Sequence, residues 1–236
     1  MSSRALHSFV VGLAAASISS AALAGALPDL GTPAGPSPIT PGTGLQASAW
    51  WGSFASNIAA AETFSQSRSA DATWISSVNY NTTSASTNIL NWIGATDAAT
   101  FTGVPGASSN ATGRAVYIFT GFINLTSPGI WYFGVSSDDG FRLRINGSEV
   151  AQFNGDRGTA LTLSGPWNAL AAGLYSVELL YWANEAGDSA VVFSAGQGSP
   201  TAVSPVGRSS LYSVIPAPTA GALLGLGGLV ATRRRR

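Results

Sequence analysis

At 236 residues the chain has room for one all-β domain with accessory segments at its ends. It is 45% hydrophobic and only 9% charged, with 28 glycines, 12 prolines, no cysteine and one histidine, His7, near the start. All 11 basic residues are arginine, so a thiol nucleophile, a histidine base, a Schiff-base lysine and a His/Cys zinc site are excluded from the body of the chain.

The formal net charge of zero hides an asymmetry. Five arginines lie in the terminal segments (Arg4 and Arg233 to Arg236). The stretch from Gly44 to Tyr212 keeps six arginines against ten acids, a surplus of about four negative charges. Nucleic acid is therefore not an expected partner, because phosphate contacts need a basic surface.

Residues 1–24 read as a secretory signal, with Arg4 in the n-region, Phe9 to Ala16 as the apolar core and Ala22-Leu23-Ala24 as the cleavage site. Residues 25–43 carry Pro28, Pro33, Pro36, Pro38 and Pro41, a spacing that prevents helix and ladder formation and predicts a semi-extended linker. The domain then runs over 44–212. Leu45 to Trp51 is an expected strand and Ala72 to Tyr80 a less regular one. Ile89-Leu90-Asn91-Trp92-Ile93 has helical spacing, with Ser84 or Ser86 as N-cap and Gly94 just past the end.

Strands follow in quick succession: Arg114 to Ile123 with a bulge at Gly121, Ile130 to Val135, Thr159 to Leu163, Leu174 to Trp182, Ala190 to Ser194 and Leu211-Tyr212. The clearest signal is Asp138-Asp139-Gly140 leading into Phe141 to Ile145 and the Asn146-Gly147 turn. A two-residue loop predicts the pairs Ile145 with Ser148, Arg144 with Glu149 and Leu143 with Val150. Many short strands, little helix and no fixed-period repeat predict an all-β fold, an antiparallel β-sandwich with one short helix.

The last segment, 214–236, has its own design. Ile215-Pro216-Ala217-Pro218 precedes an apolar run from Ala220 to Ala231 and then Arg233 to Arg236. At ~1.5 Å per helical residue the run is too short for a ~30 Å hydrocarbon core, which favours a transient stop in the inner membrane over a permanent anchor. This layout resembles the PEP-CTERM sorting signal, although Ala217 stands where that motif has glutamate. The resemblance implies an exosortase-type sorting protease as a partner acting on the tail, with delivery to the cell surface or extracellular matrix.

Gly44-Leu45, the run from Gly129 to Gly147 and the run from Ala172 to Gly187 resemble a PA14-type domain, a β-sandwich module with carbohydrate-binding roles. In the adhesin branch, paired aspartates joined by a cis peptide hold Ca²⁺ with an asparagine from a later loop, and the ion meets sugar hydroxyls. By motif, those positions are Asp138, Asp139 and Asn184, with carbonyls of Ala186 and Asp188 as weaker ligands. A glycan or extracellular polysaccharide is then the expected partner. The alternative is a structural surface protein that uses the domain as a scaffold, with Asp-Asp-Gly acting as a turn whose carboxylates cap backbone N–H groups.

Of the seven tryptophans, Trp167 beside Pro166 in an expected loop and Trp182 next to the Asn184 loop are the candidates for stacking a sugar. An enzyme is not expected. Adjacent aspartates on a strand face opposite ways, whereas glycosidase carboxylates flank one bond at ~5–9.5 Å. Glu149, Asp156, Glu178, Glu185 and Asp188 form no catalytic constellation.

Overall fold

A computed structural model describes residues 26–184 and 187–215. The signal segment, the sorting tail from Pro216 onward and the candidate carbonyl of Ala186 lie outside the described residues. Among those described, no helix is long and apolar enough to cross a membrane.

In chain order the elements are β1 (Leu45–Trp51), α1 (Ile58–Gln66), β2 (Ala72–Ser76), β3 (Asn79–Ser84), α2 (Ile89–Ala98) and β4 (Thr102–Gly103). Then come β5 (Ala115–Leu125), β6 (Gly129–Asp138), β7 (Phe141–Ile145), β8 (Ser148–Phe153), β9 (Ala160–Leu163) and β10 (Trp167–Ala169). The chain continues through β11 (Gly173–Ala183), β12 (Asp188–Gln197), β13 (Ser204–Pro205) and β14 (Leu211–Tyr212).

The strands form two antiparallel sheets, as expected for a sandwich. The larger runs β4-β2-β1-β5-β11-β7-β8, with β14 also on β5. The smaller runs β10-β6-β12-β13, with β3 on β12 and β9 on β6. Alternate residues of both sheets meet in one core: Tyr117, Phe119, Leu143, Leu179 and Tyr181 from the larger, Phe133, Val135, Val191 and Phe193 from the smaller. Rings dominate the middle, with Tyr117 stacked on Tyr181 at 5.5 Å and Trp74 edge-on to Phe119 at 6.5 Å.

Several local expectations change. The irregular strand over 72–80 is two strands, broken where Val78 takes a positive φ of 49°. The helix from Ile89 is capped by Asn88, whose side-chain oxygen accepts from the Leu90 N–H at 2.9 Å, not by Ser84 or Ser86. Gly94 leaves helical geometry as expected (φ 76°, ψ 164°), but a further turn follows it to Ala98. The structure adds a second helix, α1, to the one the sequence predicts. Gly121 makes no bulge with β11. It is glycine because a Cβ there would lie 2.2 Å from the Tyr212 carbonyl, where β14 crosses.

Helix α1 explains the outer face of β11. Ser176 and Glu178 begin that face as polar residues, yet Leu180 and Trp182 continue it as buried apolar ones. Ala61 of α1 packs with Val116, Leu180 and Trp182 in a second, smaller core on the outside of the larger sheet. Arg142 on the same face is buried and pairs with Glu62 of α1 at 2.5 Å and Glu178 at 3.0 Å.

The Pro-rich segment before β1 lies on the domain. Leu30 is 1% exposed, and Asp29 and Gly35 bridge to Asn168 and Leu174. The Asn146 amide donates to the Leu30 carbonyl at 2.7 Å, so the hairpin turn also fastens this strap.

Candidate ligand-binding site

The β7–β8 hairpin carries the acidic corner. Asn146 (φ 50°) and Gly147 (φ 81°) supply the two positive φ angles the Asn-Gly turn needs. Ile145 pairs with Ser148 and Arg144 with Glu149 as expected. Leu143, however, pairs with Ala151 and not Val150, because a bulge shifts the register between Leu143 and Arg144. The carboxylate that meets Arg144 is that of Glu178 on β11, at 3.3 Å.

At the other end of β7 the chain turns through Asp138, Asp139 and Gly140, and the Asp138–Asp139 peptide is cis. Backbone bonds fix this turn to the end of β11. The Asp139 N–H donates to the Trp182 carbonyl at 3.1 Å and the Trp182 N–H to the Gly140 carbonyl at 3.0 Å. The buried Tyr181 hydroxyl donates to the Asp138 carbonyl at 2.6 Å and accepts from the Ala190 N–H at 3.2 Å. Three elements (β6, β11 and β12) are therefore joined at one tyrosine oxygen.

Both aspartates are largely covered as residues, Asp138 being 7% and Asp139 6% exposed. Asp139 accepts from the backbone N–H of Arg157 at 3.1 Å and of Asn184 at 2.8 Å. Asp138 accepts from the Thr159 hydroxyl at 3.3 Å. Neither makes an ion pair among the described residues. Burial is the main cause that pushes both carboxyls above the usual range. The hydrogen bonds from Thr159 to Asp138 and from the Asn184 and Arg157 N–H groups to Asp139 oppose that shift, as does the Arg157 charge on Asp138. The charges of Asp188 on Asp138 and of Asp156 and Asp138 on Asp139 add to it.

The cation of the corner, Arg157, is turned aside. Its guanidinium donates to the hydroxyls of Thr162 at 2.7 Å and Ser137 at 2.8 Å and lies over the Phe153 ring at 4.3 Å. Sequence reasoning missed Arg157, Thr159, Tyr181 and Ser137, because each acts through a backbone group or a tertiary contact. The polar Asp156-Arg157-Gly158 loop was the one visible hint.

The structure ties the backbone of Asn184 to Asp139, while the Asn184 side chain turns to Ser56. Asn184 is half-buried, its N–H on Asp139 and its side-chain oxygen accepting from the Ser56 hydroxyl at 3.0 Å. The two tryptophans do not join them as sugar platforms. Trp182 is 0% exposed, sealed between α1 and Gly140, and offers no face to a ligand. Trp167 lies not in a loop but in strand β10, opposite Trp131 and half-buried against the core. Trp131 and Asp138 are seven positions apart on β6, about 23 Å at strand rise, so Trp167 belongs to the opposite end of the sandwich.

The side chains of Asp138 and Asp139 offer only oxygen lone pairs. That is the donor chemistry of a hard divalent cation such as Ca²⁺. Two largely covered aspartates without a paired cation fit such an ion, although no set of three or more His, Cys, Asp or Glu is grouped for a metal among the described residues.

The chain is a two-sheet antiparallel β-sandwich with an acidic corner between strand ends. Residues 95–204 match the PA14 domain family. No curated protein matches the chain. Among solved structures, the PA14 domain of the antifreeze protein MpAFP is similar, with 21% identity over 77% of this chain and 96% of that one and a TM-score of 0.66. A PA14 sugar-binding domain from an RTX adhesin has 24% identity over 72% of this chain and 98% of that one, with a TM-score of 0.59. The A domain of epithelial adhesin 9 from Candida glabrata, in complex with Galβ1-4GlcNAc, has 10% identity over 75% and 92% and a TM-score of 0.50.

Proposed function

We propose that the chain is an exported carbohydrate-binding module whose acidic corner engages sugar hydroxyls with the help of Ca²⁺. The observation that carries this reading is the corner itself: two largely covered aspartates without an ion pair, set against the Asn184 loop by a 2.8 Å bond from its N–H to Asp139. The sugar-binding domain of the RTX adhesin and the galactoside-bound epithelial adhesin domain, which share the fold, support the choice of ligand class.

In this reading Asp138 and Asp139 hold the cation and the Asn184 side chain completes the protein's share of ligands. The bound ion would supply positive charge and free coordination positions for a pair of sugar hydroxyls. Tyr181, Ser137 and the N–H groups of Arg157 and Asn184 keep the carboxylates in place and reduce the entropy lost on binding. Trp182 packs against Gly140 behind the turn. The signal segment and sorting tail would carry the module out of the cell and, after processing at the inner membrane, to the surface or matrix.

A scaffold reading has one observation in its favour: both oxygens of Asp139 already accept backbone N–H groups, as a purely structural turn would require. A glycan array separates the two. The proposed function predicts retention of a sugar class that is lost on chelation and in Asp138→Ala. Absence of retention in the presence of Ca²⁺, or retention indifferent to chelator, contradicts it.

A further inference from the structure

The two central strands of the smaller sheet present little bulk on the side away from the core. Register pairs Asp138 with Ala190, Ser136 with Val192 and Gly134 with Ser194 on that outer side. The alternating pairs, Ser137 with Val191 and Val135 with Phe193, face inward and are buried. Asn79 and Asn81 on β3 form one wall over this floor, and Thr159 with Leu161 of β9 forms the other. The result is a groove of about 370 Å³, within the ~300–1,000 Å³ range of small-molecule sites.

Three features indicate what the groove takes. Its lining contains no charged side chain, so neither an anionic nor a cationic ligand finds a partner there. The side-chain amides of Asn79 and Asn81 and the hydroxyl of Ser136 have no hydrogen-bond partner among the described residues, and they stand beside the aliphatic faces of Val192 and Leu161. That mixture matches a sugar chain, which carries hydroxyls on its rim and C–H groups on its faces. An extended peptide would instead seek the free backbone groups of a sheet edge, and this groove lies on a sheet face.

The groove ends beside the acidic corner, where the Thr82 and Thr159 hydroxyls meet at 2.9 Å. Thr159 lines it and donates its hydroxyl to Asp138 at 3.3 Å, and Ala190, the cross-strand partner of Asp138, forms part of its floor. From Ala190 to Ser194 the floor runs about 13 Å at strand rise.

We propose that this groove is an extended subsite for the sugar units that follow the one held at Asp138 and Asp139, so that the module reads an oligosaccharide rather than a lone terminal sugar. The inference rests on the corner being a sugar site. The experiment is a glycan array that carries each terminal sugar at chain lengths of one and of four units, probed in Ca²⁺ with the whole protein. The native protein is expected to retain the longer chains about tenfold better than the single sugar with the same terminus, the gain that a few added hydrogen bonds supply.

Ser136→Trp, which fills the floor, and the double variant Asn79→Ala/Asn81→Ala, which strips one wall, should each bring that ratio to about one, since the gain came from those contacts. The asparagines lie on an exposed strand, so the double variant tests the groove even where the tryptophan impairs folding, which thermal unfolding reports. Equal retention of short and long chains by the native protein, or a ratio unchanged in the double variant, overturns the groove and leaves the corner standing. No retention of any sugar overturns the corner and the groove together.

Discussion

Gly140 has no room for a side chain: a Cβ there would lie 2.1 Å from the Trp182 ring. Gly140→Ala should therefore cost about 1–3 kcal/mol, measured by chemical denaturation, as the indole is driven from a packed position. Asp97 illustrates a different constraint. It is buried, accepts from the Ser77 N–H at 2.8 Å and the Tyr80 hydroxyl at 2.6 Å, and forms an ion pair with Arg208. Removing the cation by Arg208→Ala leaves that charge uncompensated and should destabilise the fold by about 3 kcal/mol. Asp138 and Asp139 behave oppositely, because burial and neighbouring carboxylates raise their folded pKa values. A raised carboxyl contributes stability that is complete below its unfolded pKa and is lost as pH rises through the folded one. Without Ca²⁺, Asp138→Asn should thus raise the thermal midpoint at neutral pH, and a clear fall there would show that the charge is already well compensated.

Helix α1 depends on its first turn, where the Asn57 side chain accepts from the Ala60 N–H at 2.9 Å. Asn57→Ala should cost about 1 kcal/mol and loosen the cover over Trp182, which near-ultraviolet circular dichroism would report. This helix also marks where the sequence stopped being legible. Ile58 and Phe64 are its only large apolar residues among alanines, so no apolar stripe stands out, and its role appears only once Leu180 and Trp182 are seen to need a cover. The β7–β8 hairpin was legible because Asn-Gly admits few other conformations. The shift of Leu143 onto Ala151 was not, since a bulge depends on neighbouring strands. Of the acidic corner, the Asp138-Asp139-Gly140 turn was readable as a motif. Arg157 was not, because it contributes a backbone N–H and a guanidinium diverted onto Phe153.

Across the whole molecule the acidic corner stands where the two sheets are tied together, with Asp138 ending β6 in the smaller sheet and Trp182 near the end of β11 in the larger. A cation at that point would bind to the folded chain and not to the unfolded one, so Ca²⁺ should raise the unfolding temperature by mass action. Protons compete for the same carboxylates, and because both pKa values are raised, the stabilisation should fade as pH drops through them. The most direct measurement is calorimetric titration of Ca²⁺ into the native protein, Asp138→Ala and Asp139→Ala at neutral pH. A saturable heat at one site in the native protein, lost in both variants, is the predicted result. No Ca²⁺-dependent heat in the native protein, or the same heat in all three, would contradict the site.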